Sequence, residues 1–108
     1  MNYSVLTIPP FDKQLKKLVK KYPSLKSELS SLIKHLQTEP NQGVSLGNDC
    51  YKIRLAIASK GKGKSGGARV ITYLAVTDHE VYLLSIYDKS QQSDIEDKEL
   101  LRLVDLVR

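Results

Sequence analysis

Two apolar stripes of matching spacing stand side by side in the first third of the chain. Phe11, Leu15, Leu18, Val19 and Tyr22 form one, and Leu25, Leu29, Leu32, Ile33 and Leu36 form the other. Both recur at i, i+4, i+7, i+8 and i+11, the spacing of one face of an α-helix. Only Pro23 and Ser24 lie between them, and Ser24 is a suitable N-cap for the second helix. So short a joint predicts an antiparallel helical hairpin whose stripes turn to a common core.

The rest of the chain must supply the surface that this hairpin covers. Tyr3 to Ile8 alternates like a short strand and is stopped by Pro9-Pro10. Pro40 and Gly43 end the second helix and open a loop. Cys50 to Ala58 is read as a strand, followed by the glycine-rich loop Ser59 to Gly67. Ala68 to Thr77 and Val81 to Tyr87 form two further strands, with the turn at Asp78-His79, so an antiparallel meander is expected. Ser93 and Glu96 fit a capping box ahead of the helical stripe Leu100, Leu103, Val104 and Val107. The expected order is β-α-α-β-β-β-α. That is an α+β fold with helices packed on one face of an antiparallel sheet: an N-terminal strand, a helical hairpin, a three-stranded meander and a C-terminal helix, in one domain spanning residues 1–108.

Composition excludes several classes. A chain of 108 residues with 41% hydrophobic and 27% charged residues is ordinary globular material. Its apolar runs are a few residues long, far short of the roughly 20 that a membrane span needs. The start has neither a basic region nor a long apolar one, so a secretory signal is not expected, and the chain reads as cytosolic. One cysteine, Cys50, excludes an internal disulfide and a cysteine-based zinc site.

The charge is uneven. Lys and Arg number 17 against 12 Asp and Glu. Between Cys50 and Ala75 stand Lys52, Arg54, Lys60, Lys62, Lys64 and Arg69, with no acid among them. Lys13, Lys16, Lys17, Lys20 and Lys21 add a basic outer face to the first helix. Strand alternation sharpens the first cluster. If Ile53, Leu55, Val70, Leu74, Leu84 and Ile86 face the hairpin, the opposite face carries Lys52, Arg54, Arg69, Tyr73, Ser85, Tyr87 and Lys89. Cations hold phosphates and tyrosine rings stack on unpaired bases, so this face is expected to meet nucleic acid. A solvated face of no further role is the bland alternative. A one-residue slip in register would scatter the set.

Other patterns carry less. Ala58 to Ser65 matches a relaxed phosphate-binding loop, but a helix must follow such a loop, and here Gly66-Gly67 and a β-branched run follow. His35 and His79 lack a second ligand at metal spacing. Cys50 reads as a structural thiol. Asp94, Glu96 and Asp97 read as residues that complement a helix N-terminus.

The quoted elements resemble the RelE/ParE superfamily of bacterial toxins, in its RelE and HigB branch. The resemblance rests on Phe11-Asp-Lys-Gln-Leu-Lys-Lys17 with Lys21-Tyr22-Pro23, on Tyr51-Lys-Ile-Arg54, on Gly61-Lys-Gly-Lys-Ser-Gly-Gly-Ala-Arg-Val-Ile71, and on Tyr82-Leu-Leu-Ser-Ile-Tyr-Asp-Lys-Ser90. It covers nearly the whole chain, and the glycine stretch ending in Arg69 is its most specific part.

The resemblance implies a toxin of a type II toxin-antitoxin system, monomeric when free and held inactive by a cognate antitoxin. It implies cleavage of mRNA on the ribosome with no cofactor and no metal. In such a cut the ribose 2′-OH attacks the adjacent phosphate, which calls for a base, a stabiliser of phosphate charge and help for the leaving oxygen. The resemblance assigns Arg69 to phosphate stabilisation and Lys89 to the leaving group or phosphate. It leaves the base open among the lysines, Lys64 included, since a lysine crowded by cations has a lowered pKa. Tyr87 is assigned to stacking on a base, and Lys52, Arg54, Lys60, Lys62 and Tyr73 to RNA binding. No aromatic residue follows Tyr87, although several members carry a Tyr or His near the C-terminus. Two alternatives stand beside this reading: a DNA gyrase inhibitor of the ParE kind, and an inactive relative that only binds its antitoxin.

Overall fold

A computed structural model describes residues 2–61 and 66–108. The chain forms β1 (Ser4–Thr7), the hairpin α1 (Pro9–Lys21) and α2 (Leu25–Thr38), then β2 (Val44–Gly47), β3 (Cys50–Leu55), β4 (Ala68–Ala75), β5 (Glu80–Asp88) and α3 (Asp97–Val104). A single turn of 3-10 helix, Ala58–Lys60, follows β3. The strands make one sheet in the order β1-β5-β4-β3-β2. β3, β4 and β5 form the antiparallel meander expected, while β1 joins β5 in parallel.

The hairpin forms as its stripes dictate. Pro9 and Pro10 occupy the first positions of α1, where a missing N–H costs nothing. Phe11, Leu25, Leu29, Leu32 and Leu36 are buried in one core cluster with Ile53, Val70 and Ile86. The joint differs from expectation in its chemistry. Ser24 stands at the N-cap position as expected, but it is helical in conformation and its side chain makes no cap bond. Its hydroxyl donates to Glu28 Oε1 at 3.1 Å and accepts the N–H of Ser59 at 2.9 Å. Glu28 Oε2 accepts the N–H of Ala58 at 2.7 Å. The first turn of α2 thus grips the chain where it leaves β3.

Five other expectations need correction. The sequence predicts only a loop where β2 stands. β2 is a four-residue edge strand that alternates poorly, paired to β3 through Asn48-Asp49. Both turn residues have positive φ, the conformation of a tight hairpin turn, which Asn and Asp tolerate best after Gly. β3 stops at Leu55 and β4 at Ala75, short of the expected Ala58 and Thr77, while β5 gains Glu80 and Asp88. Ser93 does not cap α3, which starts at Asp97 with Glu96 as N-cap and no side-chain cap bond.

The fourth correction concerns register. Ile71 opposes Ser85, yet Thr72 opposes Leu83, so Leu84 is an extra residue in β5. A bulge of this kind breaks the alternation. It puts Tyr82 opposite Tyr73 rather than on the face of Ile86. Beyond the bulge the expected register holds: Val70 opposes Ile86 and Arg69 opposes Tyr87.

Helices do not all pack on one face. α1 and α2 cover the face of Ile53 and Leu55. The C-terminal segment lies on the other: Asp94 meets Lys52, which alternates with Ile53 along β3, and Leu100, Leu103 and Val104 of α3 are buried.

Candidate phosphate-facing site

Three antiparallel strands assemble the site. Arg54 on β3 stands directly opposite Arg69 on β4, and Arg69 stands directly opposite Tyr87 on β5. Neighbouring strands lie about 4.8 Å apart, so the row crosses the sheet in roughly 10 Å. Lys52, Ile71 and Ser85 form the next row of the same face. Lys89 follows β5, and its backbone N–H donates to the carbonyl of Gly67 at 3.0 Å.

Gly67 explains why the row falls where it does. A Cβ there would collide with the carbonyl oxygen of Leu55. Only glycine lets the chain return close enough to β3 for Arg69 to land opposite Arg54.

The row is largely covered. Arg69 is 4% exposed and Tyr87 5%, whereas Arg54 is open to solvent. Arg69 Nη1 donates to the carbonyl of Ala68 at 3.0 Å. The cover is the extended stretch before α3. Lys52 Nζ lies 3.3 Å from Asp94 Oδ1, and Lys89 Nζ donates to the carbonyl of Ser93 at 2.9 Å. Two cations therefore hold one strip of backbone over the row.

Electrostatics follow from this arrangement. Asp94 is held below the usual carboxylate range, first by the N–H of Ile95 at 2.9 Å and then by Lys52 and Lys89. The phenol of Tyr87 is pushed up by burial and by the nearby charge of Asp94, with Arg69 opposing. Its hydroxyl is buried with no hydrogen-bond partner among the described residues. Such a phenol keeps its proton at neutral pH and is available as a donor. At 5% exposure its ring is not available for stacking in this arrangement.

The structure thus brings Arg54, Arg69, Tyr87, Lys52 and Lys89 together. Tyr73 lies apart, opposite Cys50 and Tyr82 towards the other end of the strands. Lys62 and Lys64, and the side chain of Lys60, lie outside the described residues. Sequence reasoning missed Asp94 as a partner of Lys52, because an acid just before a helix has a sufficient explanation in the helix dipole. It missed Gln14 of α1 as well. Gln14 Oε1 accepts the N–H of Ile86 and the hydroxyl of Ser85, each at 3.1 Å, where β5 has run past the end of β1. No local pattern marks such a contact.

A mixed five-stranded sheet with a helical hairpin on one face, and a row of cations under a C-terminal cover on the other, defines a class of small α+β proteins. The family model described as RelE toxin of the RelE/RelB toxin-antitoxin system matches residues 11–107, and the chain belongs to this family. Among solved structures, it is similar to a free-state E. coli toxin RelE with two arginines replaced by alanine. That match has a TM-score of 0.63 at 16% identity and covers 100% of both chains. It is also similar to the intact E. coli RelBE toxin-antitoxin complex, with a TM-score of 0.52 at 23% identity over 80% of this chain and 95% of that one. The same mutant toxin bound to an antitoxin RelBc peptide gives 0.52 at 22% identity over 100% and 97%. At these identities the likeness is one of fold.

Proposed function

We propose that this chain is the toxin of a toxin-antitoxin pair and cleaves mRNA on the ribosome without a metal. The observation that carries the reading is the alignment of Arg54, Arg69 and Tyr87 across three strands, flanked by Lys52 and Lys89. In the reaction the ribose 2′-oxygen bonds to the adjacent phosphorus, the bond to the 5′-oxygen breaks, and a 2′,3′-cyclic phosphate and a 5′-hydroxyl result. With the stretch before α3 displaced from the row by the RNA, Arg69 stabilises the charge gathering on the phosphate, and Arg54 and Lys52 hold the strand. Tyr87, whose phenol keeps its proton, donates to the leaving 5′-oxygen, with Lys89 beside it. The 2′-OH proton passes to a lysine of the loop between β3 and β4, Lys64 being the candidate. The partner is a cognate antitoxin, as the RelBE relatives suggest.

The test is induction without antitoxin, with mRNA 5′ ends mapped in translating and translation-blocked cells. Cuts that vanish when translation is blocked are expected. Arg69→Ala should lower cutting about 10²–10³-fold, the usual loss on removing one stabiliser of developing charge. Arg69→Met, which keeps the volume of the buried side chain, should do the same. Growth arrest with intact mRNA would replace this reading by gyrase inhibition, and no arrest would leave only antitoxin binding.

A further inference from the structure

A groove of about 300 Å³ runs between α1 and the end of β5, at the lower end of the range for small-molecule sites. Its walls include Gln14, Lys17, Tyr87, Asp88, Gln91 and Gln92. It touches the cationic row at one residue, since Tyr87 lines the groove and opposes Arg69.

The two best-defined walls are amides of fixed orientation. The N–H of Ile86 can only donate, so the atom of Gln14 facing it must be the oxygen. The hydroxyl of Ser85 donates to the same oxygen. The Gln14 NH₂ is left turned away from the strand as a donor. Across the groove, Gln92 Nε2 donates to the carbonyl of Asp94 at 2.9 Å, which leaves its oxygen as an acceptor. The groove therefore presents a fixed donor and a fixed acceptor on neutral groups. The groove offers no cationic excess for a phosphate, because the charge of Lys17 is offset by the buried carboxylate of Asp88, held by Tyr22 at 3.0 Å and by Ser90 at 2.8 Å.

We infer that this groove takes a nucleobase of the RNA strand next to the phosphate held by Arg69, and that Gln14 and Gln92 read its edge. This rests on the reading of the chain as an RNA-cutting enzyme. Unpaired RNA bases are recognised through such adjacent donor and acceptor positions, and a paired amide contact of this kind discriminates well between bases. Gln14 and Gln92 would then set which base flanks the cut.

The experiment is a titration of the ¹⁵N-labelled full chain with each of the four nucleoside 5′-monophosphates, and with ribose 5-phosphate as control. The side-chain NH₂ signals of Gln14 and Gln92 are followed. Both should shift with at least one nucleotide and stay in place with ribose 5-phosphate. Gln92→Ala, at an exposed position, should weaken that nucleotide's binding roughly tenfold while leaving the backbone spectrum in place. Amide signals unmoved by all four nucleotides, or moved equally by ribose phosphate, would overturn the inference. Parallel mapping of mRNA ends separates the two readings. Cleavage with unmoved amides removes the base groove alone, and shifted amides without cleavage remove the nuclease while keeping the groove.

Discussion

At Arg69 a cation sits almost wholly inside the protein, which is costly unless polar groups surround it. At the edge of the same site, Asp94 spans Lys52 and the N–H of Ile95. The ion pair is half open to solvent, and exposed pairs contribute roughly 0–1 kcal/mol. A phosphate can therefore displace the Asp94 carboxylate at small cost. Asp94→Asn should change stability by less than about 1 kcal/mol in urea unfolding and should raise, not lower, the rate of mRNA cleavage. The depressed pKa of Asp94 means that its contribution to folding is present above the usual carboxylate range and is lost as pH falls through the native value. Cys50 shows the opposite sign. Burial, reinforced by Asp49, pushes its thiol up to about 11. The native thiol should resist a thiol reagent at pH 8 and react promptly once the chain is unfolded. Stability should fall as pH rises past the unfolded thiol's value towards about 11, because only the unfolded chain then ionises freely.

Between β3 and β4 the elements hold each other by backbone approach rather than by side-chain volume. Gly67→Ala should destabilise the fold by about 1–3 kcal/mol, as overpacking does, and should displace Arg69 from the row. Chemical denaturation and RNA cleavage by the same variant check both effects. Much of this level was legible in the sequence. The hairpin followed from matching stripes, and Arg54, Arg69 and Tyr87 fell on one face because alternation holds from Cys50 to Leu55 and again from Ile86 to Asp88. What was not legible depends on partners distant in the chain. The bulge at Leu84 is invisible because Leu83 and Leu84 are equally apolar and either could face the core. β2 is defined by its pairing to β3 and not by its own four residues. Ser93 satisfies a local capping rule, yet the chain there is drawn out over the sheet by Lys52 and Lys89. A tertiary contact overrides a local preference worth about 1 kcal/mol.

For the molecule as a whole, apolar cover on both faces of the sheet leaves the cations at its rim as the way in. Four cations belong to the row or flank it: Arg54 and the buried Arg69 within it, Lys52 and Lys89 beside it. If all meet phosphates, the logarithm of the affinity for single-stranded RNA should fall with the logarithm of salt at a slope of about −3. A slope near zero in filter binding from low to moderate salt would mean that the row does not face the backbone. β1 is made first, yet it pairs only with β5, Val5 beside Val81. At about 5–20 residues per second, the ribosome needs on the order of 4–15 seconds to travel from one to the other. Tyr87 is made after both. A nascent chain therefore carries its cations on strands that have not yet closed into a row. If the protein cuts mRNA on the ribosome as proposed, the ribosome that synthesises it is spared until most of the chain has been translated.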